Sequence, residues 1–120
     1  MFEKLIKQVK KDKDVIAVLV FGSYARKEEH RDIDICLVLK PKKYTKISLS
    51  RKKLSYLKNF DFDIQIFQQL PIYIRQRVLE EGKLIFSRND EIYDVAFRTI
   101  KEYEDFKPLY ETYLEGVLNG

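Results

Sequence analysis

Two segments of the chain carry aspartates at alternate positions, a spacing that places carboxylates on one face of a strand. Asp32 and Asp34 are two residues apart, and Asp61 and Asp63 repeat this spacing. Since successive strand residues point to opposite faces, each pair projects from one face. Aspartate forms strands poorly, so a functional reason is expected here. Crowded carboxylates persist only if a positive charge compensates them or one group stays protonated. Lysine or arginine could supply that charge, but a divalent cation does so better, because Mg²⁺ takes oxygen ligands and leaves positions open for phosphates. If the two strands are neighbours, the sequence predicts a divalent-metal site.

A Gly-Ser pair before the first of these aspartates is a second candidate for binding. Gly22 and Ser23 follow an apolar run and precede residues 24–29, which are long enough for about one helical turn. Glycine lets the backbone approach an anion, while exposed amides and a serine hydroxyl can hold phosphate oxygens. Arg26 lies one turn further and is placed to reach the same phosphates. A phosphate-binding turn followed by paired carboxylates predicts a site for a metal-bound triphosphate.

Helices and strands alternate along the chain and must position these residues. This pattern predicts an α/β (α+β) fold, in which helices pack on a small mixed sheet of about three or four strands. We expect a single domain over residues 1–120, with a core at about 1–87 and a C-terminal helical segment at about 90–118. The predicted strands are 15–21, 32–39, 60–67 and 84–86, and the last of these lies at an edge. The predicted helices are 1–11, 44–58 and 71–82, and the third of them ends at Gly82 as its C′ glycine. The C-terminal segment forms one long helix, or two, bent near Pro108.

Apolar spacing predicts which faces of these elements are packed. The third strand has four apolar residues on one face: Phe60, Phe62, Ile64 and Ile66. The second helix has three on one side: Ile47, Leu54 and Leu57. The C-terminal segment has an apolar stripe that consists of Ile92, Ala96, Ile100, Tyr103, Phe106, Tyr110, Tyr113 and Val117. This stripe is longer than the small sheet requires, so part of it is open to a dimer or partner interface. The basic cluster of Lys42, Lys43, Lys46, Arg51, Lys52 and Lys53 is either a solvated face or a surface that steers ATP, RNA or an acidic partner.

Composition narrows the class of protein further. A chain of 120 residues leaves no room for a second substrate-binding domain, and no apolar run approaches the length of a membrane span. One histidine (His30) and one cysteine (Cys36) are too few for a zinc site or an internal disulfide, so we expect a cytoplasmic protein. His30 is interpreted as a loop residue and Cys36 as a buried strand residue. The net charge of +4 allows, but does not favour, a nucleic-acid partner.

The segments FGSYAR, RDIDICLVL and DFDIQIF together resemble the nucleotidyltransferase superfamily that includes DNA polymerase β. They are most similar to its minimal nucleotidyltransferases of bacteria and archaea, over roughly residues 15–87. The resemblance implies a polymerase β-like palm fold with a long C-terminal helix. The segment between Gly-Ser and the first aspartate is a couple of residues shorter than the commoner family spacing, and Arg31 replaces the usual small residue before that aspartate.

The resemblance also implies a role for each candidate residue. Gly22 and Ser23, with Arg26 nearby, would bind the nucleotide phosphates. Asp32, Asp34 and Asp63 would be the catalytic carboxylates that hold Mg²⁺, as two ions. Asp63 is preferred to Asp61 because the family places this carboxylate in mid-strand before an apolar residue.

For function, the resemblance implies transfer of AMP from ATP to a hydroxyl group. Small members of the family resemble the antitoxins of type VII-like toxin–antitoxin pairs, whose partner is a HEPN-domain ribonuclease toxin that is adenylylated on a tyrosine. Two other readings stay open: a catalytically weak module that neutralises its partner by docking, and a transferase for a small molecule or an RNA end. Homo-oligomers also remain possible.

Overall fold

A computed structural model describes residues 1–22 and 33–119 of the chain. The predicted strand bearing Asp32 and Asp34 is therefore described only from Ile33 onwards. Ser23, Arg26, His30 and Asp32 lie outside the described residues, as does the helical turn predicted at 24–29.

The described residues form a four-stranded mixed sheet in the order β3-β2-β1-β4. The strands are β1 (Val15–Phe21), β2 (Asp34–Leu39), β3 (Asp63–Ile66) and β4 (Lys83–Ser87). β1 pairs antiparallel with both β2 and β4, while β2 pairs parallel with β3. β1 and β2 are the inner strands, and their β-branched and aliphatic residues are buried on both faces. The predicted mixed sheet is confirmed, with β4 at an edge.

Helices cover both faces of this sheet. They are α1 (Glu3–Lys11), α2 (Lys46–Leu57), α3 (Ile72–Glu81) and α4 (Glu91–Asn119), with a 3₁₀ turn at Phe67–Gln69. Strand alternation divides the core, because alternate residues face opposite helix pairs. Side chains of α1 and α2 pack with Ile35 and Leu37 on one face. Those of α3 and α4 pack with Cys36 and Val38 on the other. Cys36 is fully buried, as predicted, and this burial raises the pKa of its thiol.

The third strand is shorter than the predicted 60–67. A bend at Asp61 and Phe62 precedes it, and the 3₁₀ turn follows it, so Asp61 lies outside β3. The predicted inner face is nevertheless confirmed, because all four of its apolar residues pack in one cluster: Phe60, Phe62, Ile64 and Ile66. Only Asp63 of this aspartate pair therefore belongs to the strand.

The predicted packed face of α2 is wrong. Ile47 and Leu54 are 66% and 62% exposed, and Leu57 is also exposed, whereas Tyr56 is buried. The reason is a polar network: the Tyr56 hydroxyl donates to Asp12 Oδ2 at 3.0 Å, and Lys52 Nζ binds both oxygens of the same carboxylate at 2.9 and 2.8 Å. Asp12 directly follows α1 and is distant from α2 in sequence. Its contacts place the side of α2 that carries Lys52 and Tyr56 against the rest of the protein. Lys52 accordingly leaves the solvated basic face.

The C-terminal segment is one continuous helix that contains Pro108. Its packed face begins with Ile92 as predicted, but then follows Val95 and Thr99 rather than Ile100, which is exposed. Tyr113 and Val117 are also exposed, so the second half of the predicted stripe does not reach the core. A helix of this length spans ~43 Å and runs beyond the sheet that it covers.

Gly82 follows α3 as predicted, but its φ of −71° is not the left-handed conformation of a C′ glycine. A Cβ at Gly82 would overlap the carbonyl oxygen of Val78, so close packing explains the glycine. Among the described residues, none of the helices combines the length and apolar character that a bilayer crossing requires.

Candidate active site

Two of the three predicted carboxylates open neighbouring strands. Asp34 is the first residue of β2, Asp63 is the first of β3, and the parallel ladder pairs them directly. The Asp63 amide donates to the carbonyl of Ile33 at 2.9 Å, which fixes this register. Residues paired in register point to the same face, and adjacent strands are ~4.8 Å apart. The two carboxylates therefore stand side by side.

The carboxylates project from the face of the sheet that α3 and α4 cover. Asp34 shares its face with Cys36, and its antiparallel partner is Phe21, the last residue of β1. Asp34 is half-buried, whereas Asp63 on the edge strand is exposed. One carboxylate is therefore anchored in the sheet, and the other is open to an incoming group.

Gly22 brings the end of β1 against the Asp34 carboxylate. Its φ is +77°, a conformation that favours glycine. A Cβ at this position would also overlap Asp34 Oδ2 and lie 3.1 Å from Asp34 Cγ. Glycine is thus required both by its conformation and by its closeness to the carboxylate. Since Ser23, Arg26 and Asp32 lie outside the described residues, their positions relative to this pair remain predictions.

The Asp63 side chain is held by a short hydrogen-bond chain. Gln65 Nε2 donates to Asp63 Oδ1 at 3.3 Å, and Lys53 Nζ donates to Gln65 Oε1 at 3.3 Å. Lys53 thus extends from α2 to the edge strand, where it contacts the Gln65 side chain. Sequence reasoning placed Lys53 only in the basic cluster and missed both supporting residues. The sequence did contain a signal for this support, because Gln65 is two residues from Asp63 and therefore lies on the same face of the strand.

The donor set of this pair fits Mg²⁺. Two like charges ~4 Å apart repel by ~1–4 kcal/mol in a surface-like dielectric, and a divalent cation relieves this cost. Mg²⁺ takes carboxylate oxygens and keeps other positions for water and phosphate oxygens. Within residues 1–22 and 33–119, no group of three or more acidic, histidine or cysteine side chains could hold a metal. Asp34 and Asp63 thus supply two ligands, and Asp32 is the predicted third.

Comparison with known proteins identifies the class of protein. The family model described as "Polymerase beta, Nucleotidyltransferase" matches residues 3–91. The chain therefore belongs to this nucleotidyltransferase family, and the predicted enzyme class is confirmed. A putative protein adenylyltransferase of Methanocaldococcus jannaschii is 34% identical over 96 residues, which cover 78% of this chain and 73% of that protein.

Solved structures confirm the predicted fold over nearly the whole chain. A chain in a toxin–antitoxin crystal with AMP-PNP superposes with a TM-score of 0.73 at 22% identity, covering 98% of this chain and 99% of that one. A chain in the complex of a tri-AMPylated Shewanella oneidensis HEPN toxin with an MNT antitoxin gives 0.69 at 21% identity, covering 96% and 93%. The fold is thus that of the minimal nucleotidyltransferases.

Proposed function

We propose that this protein transfers AMP from ATP to a hydroxyl group of a partner protein, in the cytoplasm, with Asp32, Asp34 and Asp63 as its catalytic carboxylates. The observation that carries the proposal is the in-register pairing of Asp34 and Asp63 beside Gly22. Family membership and the 34% identical putative protein adenylyltransferase support the reaction class.

Each residue of the site has a role in this transfer. Gly22, Ser23 and Arg26 bind the phosphates of ATP, and they steady the charge that develops on the leaving pyrophosphate. The three aspartates would hold Mg²⁺, as two ions, and the metal would neutralise the triphosphate and lower the pKa of the attacking hydroxyl.

The exposed Asp63 carboxylate accepts the proton of the attacking hydroxyl, and the hydrogen bond from Gln65 keeps it oriented for this step. The acceptor oxygen forms a bond to the α-phosphorus while the bond between that phosphorus and the pyrophosphate oxygen breaks. AMP is thereby joined to the acceptor, and pyrophosphate leaves.

We propose further that the acceptor is a tyrosine of a HEPN-domain toxin, so that the protein is the antitoxin of a type VII-like pair. The support is the fold shared with a chain of the complex between an AMPylated HEPN toxin and an MNT antitoxin. An exposed carboxylate on an edge strand suits an acceptor presented by a docked protein.

The test is transfer of label from ATP that carries ³²P on its α-phosphate, in the presence of Mg²⁺ and the HEPN protein encoded beside this chain. The wild type is expected to label the toxin. Asp34→Asn and Asp63→Asn preserve side-chain size, so they should lower the rate at least about a hundredfold without unfolding the protein. The matched control is Asp61→Asn, in the exposed bend before β3, which should retain transfer.

The alternatives give different results in the same assay. Transfer that persists in Asp34→Asn would show that the assigned roles are wrong. Complete neutralisation of the toxin by the inactive variants would favour a module that acts by docking. Label found only on RNA or a small molecule would identify another acceptor.

A further inference from the structure

A groove along α3 begins at Gly22 and extends away from the carboxylates. A cavity of about 140 Å³ is lined by Gly22, Arg77 and Glu81 among others, and a second of about 240 Å³ is lined by Tyr73 and Tyr110 together with the same Arg77 and Glu81. The two cavities are adjacent, because they share two lining residues, and we call them together the α3–α4 groove. The groove extends from Gly22, where the predicted phosphate-binding turn begins, to an aromatic wall.

The aromatic wall is both ordered and open. The Tyr73 and Tyr110 rings are nearly parallel, with centroids 6.1 Å apart and an interplanar angle of 7°. Phe106 stacks on Tyr110 at 5.4 Å, so the Tyr110 ring is held between two neighbours. Tyr73 and Tyr110 are nevertheless 44% and 37% exposed. Rings fixed in this way offer a stacking surface to a planar group.

The charged residues of the groove make its two ends suited to different parts of a ligand. Its Gly22 end offers backbone close to the Asp34 carboxylate, where a metal-bound triphosphate is proposed to bind. Arg77 lies in both cavities, and a guanidinium can bind phosphate oxygens in a bidentate manner. Glu80 lines only the tyrosine end, where it would repel phosphates, whereas Glu81, like Arg77, lines both cavities. The tyrosine end suits an uncharged group rich in hydrogen-bond donors, such as ribose hydroxyls and a base amino group.

The amide oxygen of Gln76 favours the same type of ligand. Gln76 lines the tyrosine end, and its Oε1 is shielded from solvent without a hydrogen-bond partner among the residues that the structure describes. A shielded acceptor without a donor is unfavourable, because its hydration has been lost and nothing replaces it. A ligand that presents an N–H or O–H group to this side chain would remove that penalty.

We propose that the α3–α4 groove binds the nucleoside of the donor nucleotide, with the base stacked on the Tyr73–Tyr110 wall and Arg77 contacting the phosphate nearest the ribose. This inference rests on the proposed function and adds the place where the base is recognised. Together with Gly22, the groove would fix the α-phosphorus relative to Asp34 and Asp63 from the nucleoside side.

Calorimetric titration of the full chain with ATP and with inorganic triphosphate, both in Mg²⁺, separates the two ends of the groove. Tyr73→Leu should weaken ATP binding about tenfold, the effect of losing one base–aromatic stack. Tyr110→Leu should also weaken ATP binding, because the Tyr110 ring stacks on Tyr73 and supports it. Both variants should leave triphosphate binding within about twofold of wild type, since the phosphates do not contact the rings. Tyr73→Phe should retain ATP affinity because it keeps the ring.

The matched control is Tyr113→Leu, which removes a 66% exposed ring from the same helix outside the groove and should leave both affinities unchanged. Tyr73 and Tyr110 lie on different helices and are partly exposed, so either variant can carry the test if the other fails to fold.

The outcomes distinguish this inference from the function on which it rests. Wild-type protein that binds neither ATP nor triphosphate would overturn both. Tyrosine variants that bind ATP as wild type does, while Asp34→Asn still abolishes transfer, would overturn the groove assignment alone. Variants with normal ATP affinity that no longer modify the toxin would assign the groove to the acceptor, and so would also overturn it. Weakened ATP binding with intact triphosphate binding would support the assignment.

Discussion

Replacement of Gly22 by alanine tests the contact between the turn after β1 and the Asp34 carboxylate. At a φ of +77°, an L-residue costs about 1–2 kcal/mol relative to an allowed conformation. In addition, the new Cβ would overlap Asp34 Oδ2, so either the turn or the carboxylate must move. We therefore expect Gly22→Ala to lower the free energy of unfolding by about 2 kcal/mol. For a domain of this size, that is a fall in Tm of about 5–10 °C.

The same substitution should reduce transfer more than stability alone explains. Displacement of a catalytic group by about 1 Å can cost about a hundredfold in rate, and Asp34 is the group that the new methyl group contacts. The rate of AMP transfer is measured at a temperature where Gly22→Ala is fully folded by circular dichroism. Under that condition, a lower rate reports a displaced site rather than unfolded protein.

Gly116 provides the matched control for this variant. A Cβ built on Gly116 meets no atom within 4 Å, and the residue lies within α4. Gly116→Ala should therefore stabilise the protein by up to about 1 kcal/mol, because alanine is the better helix former. If both alanine variants leave Tm and transfer at wild-type levels, the turn does not press on Asp34 and the assigned geometry is wrong.

Two further predictions concern the ionic network at the opposite end of the sheet. The hydrogen bond from Lys42 Nζ to Asp14 Oδ1, at 2.9 Å, is the main cause that holds the pKa of Asp14 below its usual value. The stability that Asp14 contributes, up to about 1 kcal/mol, is therefore present above its unfolded pKa of about 3.9 and is lost as pH falls through the lower folded value. Urea unfolding should show Asp14→Asn less stable than wild type at pH 7 but close to it at pH 3, and an equal gap at both would contradict the pairing. Tyr56→Phe should cost about 1–2 kcal/mol by the same measurement, because it deletes the hydroxyl that donates to Asp12 Oδ2 at 3.0 Å, and an unchanged urea midpoint would exclude that bond.

The candidate site was predictable where short-range alternation controls the structure. The continuous apolar run predicted β1 correctly, and the alternation in β3 predicted its buried face, although β3 itself is shorter than the predicted 60–67. The direct pairing of Asp34 with Asp63 was not predictable in the same way. It depends on the parallel docking of β3 beside β2, and their connection includes the whole of α2. From alternation alone, one can conclude that the carboxylates meet if β2 and β3 are neighbours. Alternation does not predict the register in which these two strands pair.

The errors in the helices arose from partners distant in sequence. The packed side of α2 follows Tyr56 and Lys52, and their partner Asp12 lies 40 or more residues earlier. A pattern that counts only aliphatic spacing assigns such a lysine to solvent. In α4, the spacing continues past the end of the sheet, so periodicity correctly predicts a helix but not where its packing stops. The α3–α4 groove has no local signature at all, because its wall combines residues from two helices.

The parallel pairing of β2 and β3 is what makes a shared carboxylate site possible. Both strands begin at the same end of the sheet, so their first residues, Asp34 and Asp63, are neighbours. The antiparallel pairing of β1 with β2 brings the end of β1, and with it Gly22, to that same end. Had β3 run antiparallel to β2 over the same residues, Asp63 would lie at the far end of its strand, ~10 Å from Asp34. No single ion could then bind both carboxylates. The site therefore depends on strand direction as much as on the aspartates. Asp63 can join Asp34 only because α2, between the two strands, carries the chain back to the end of the sheet at which β2 begins.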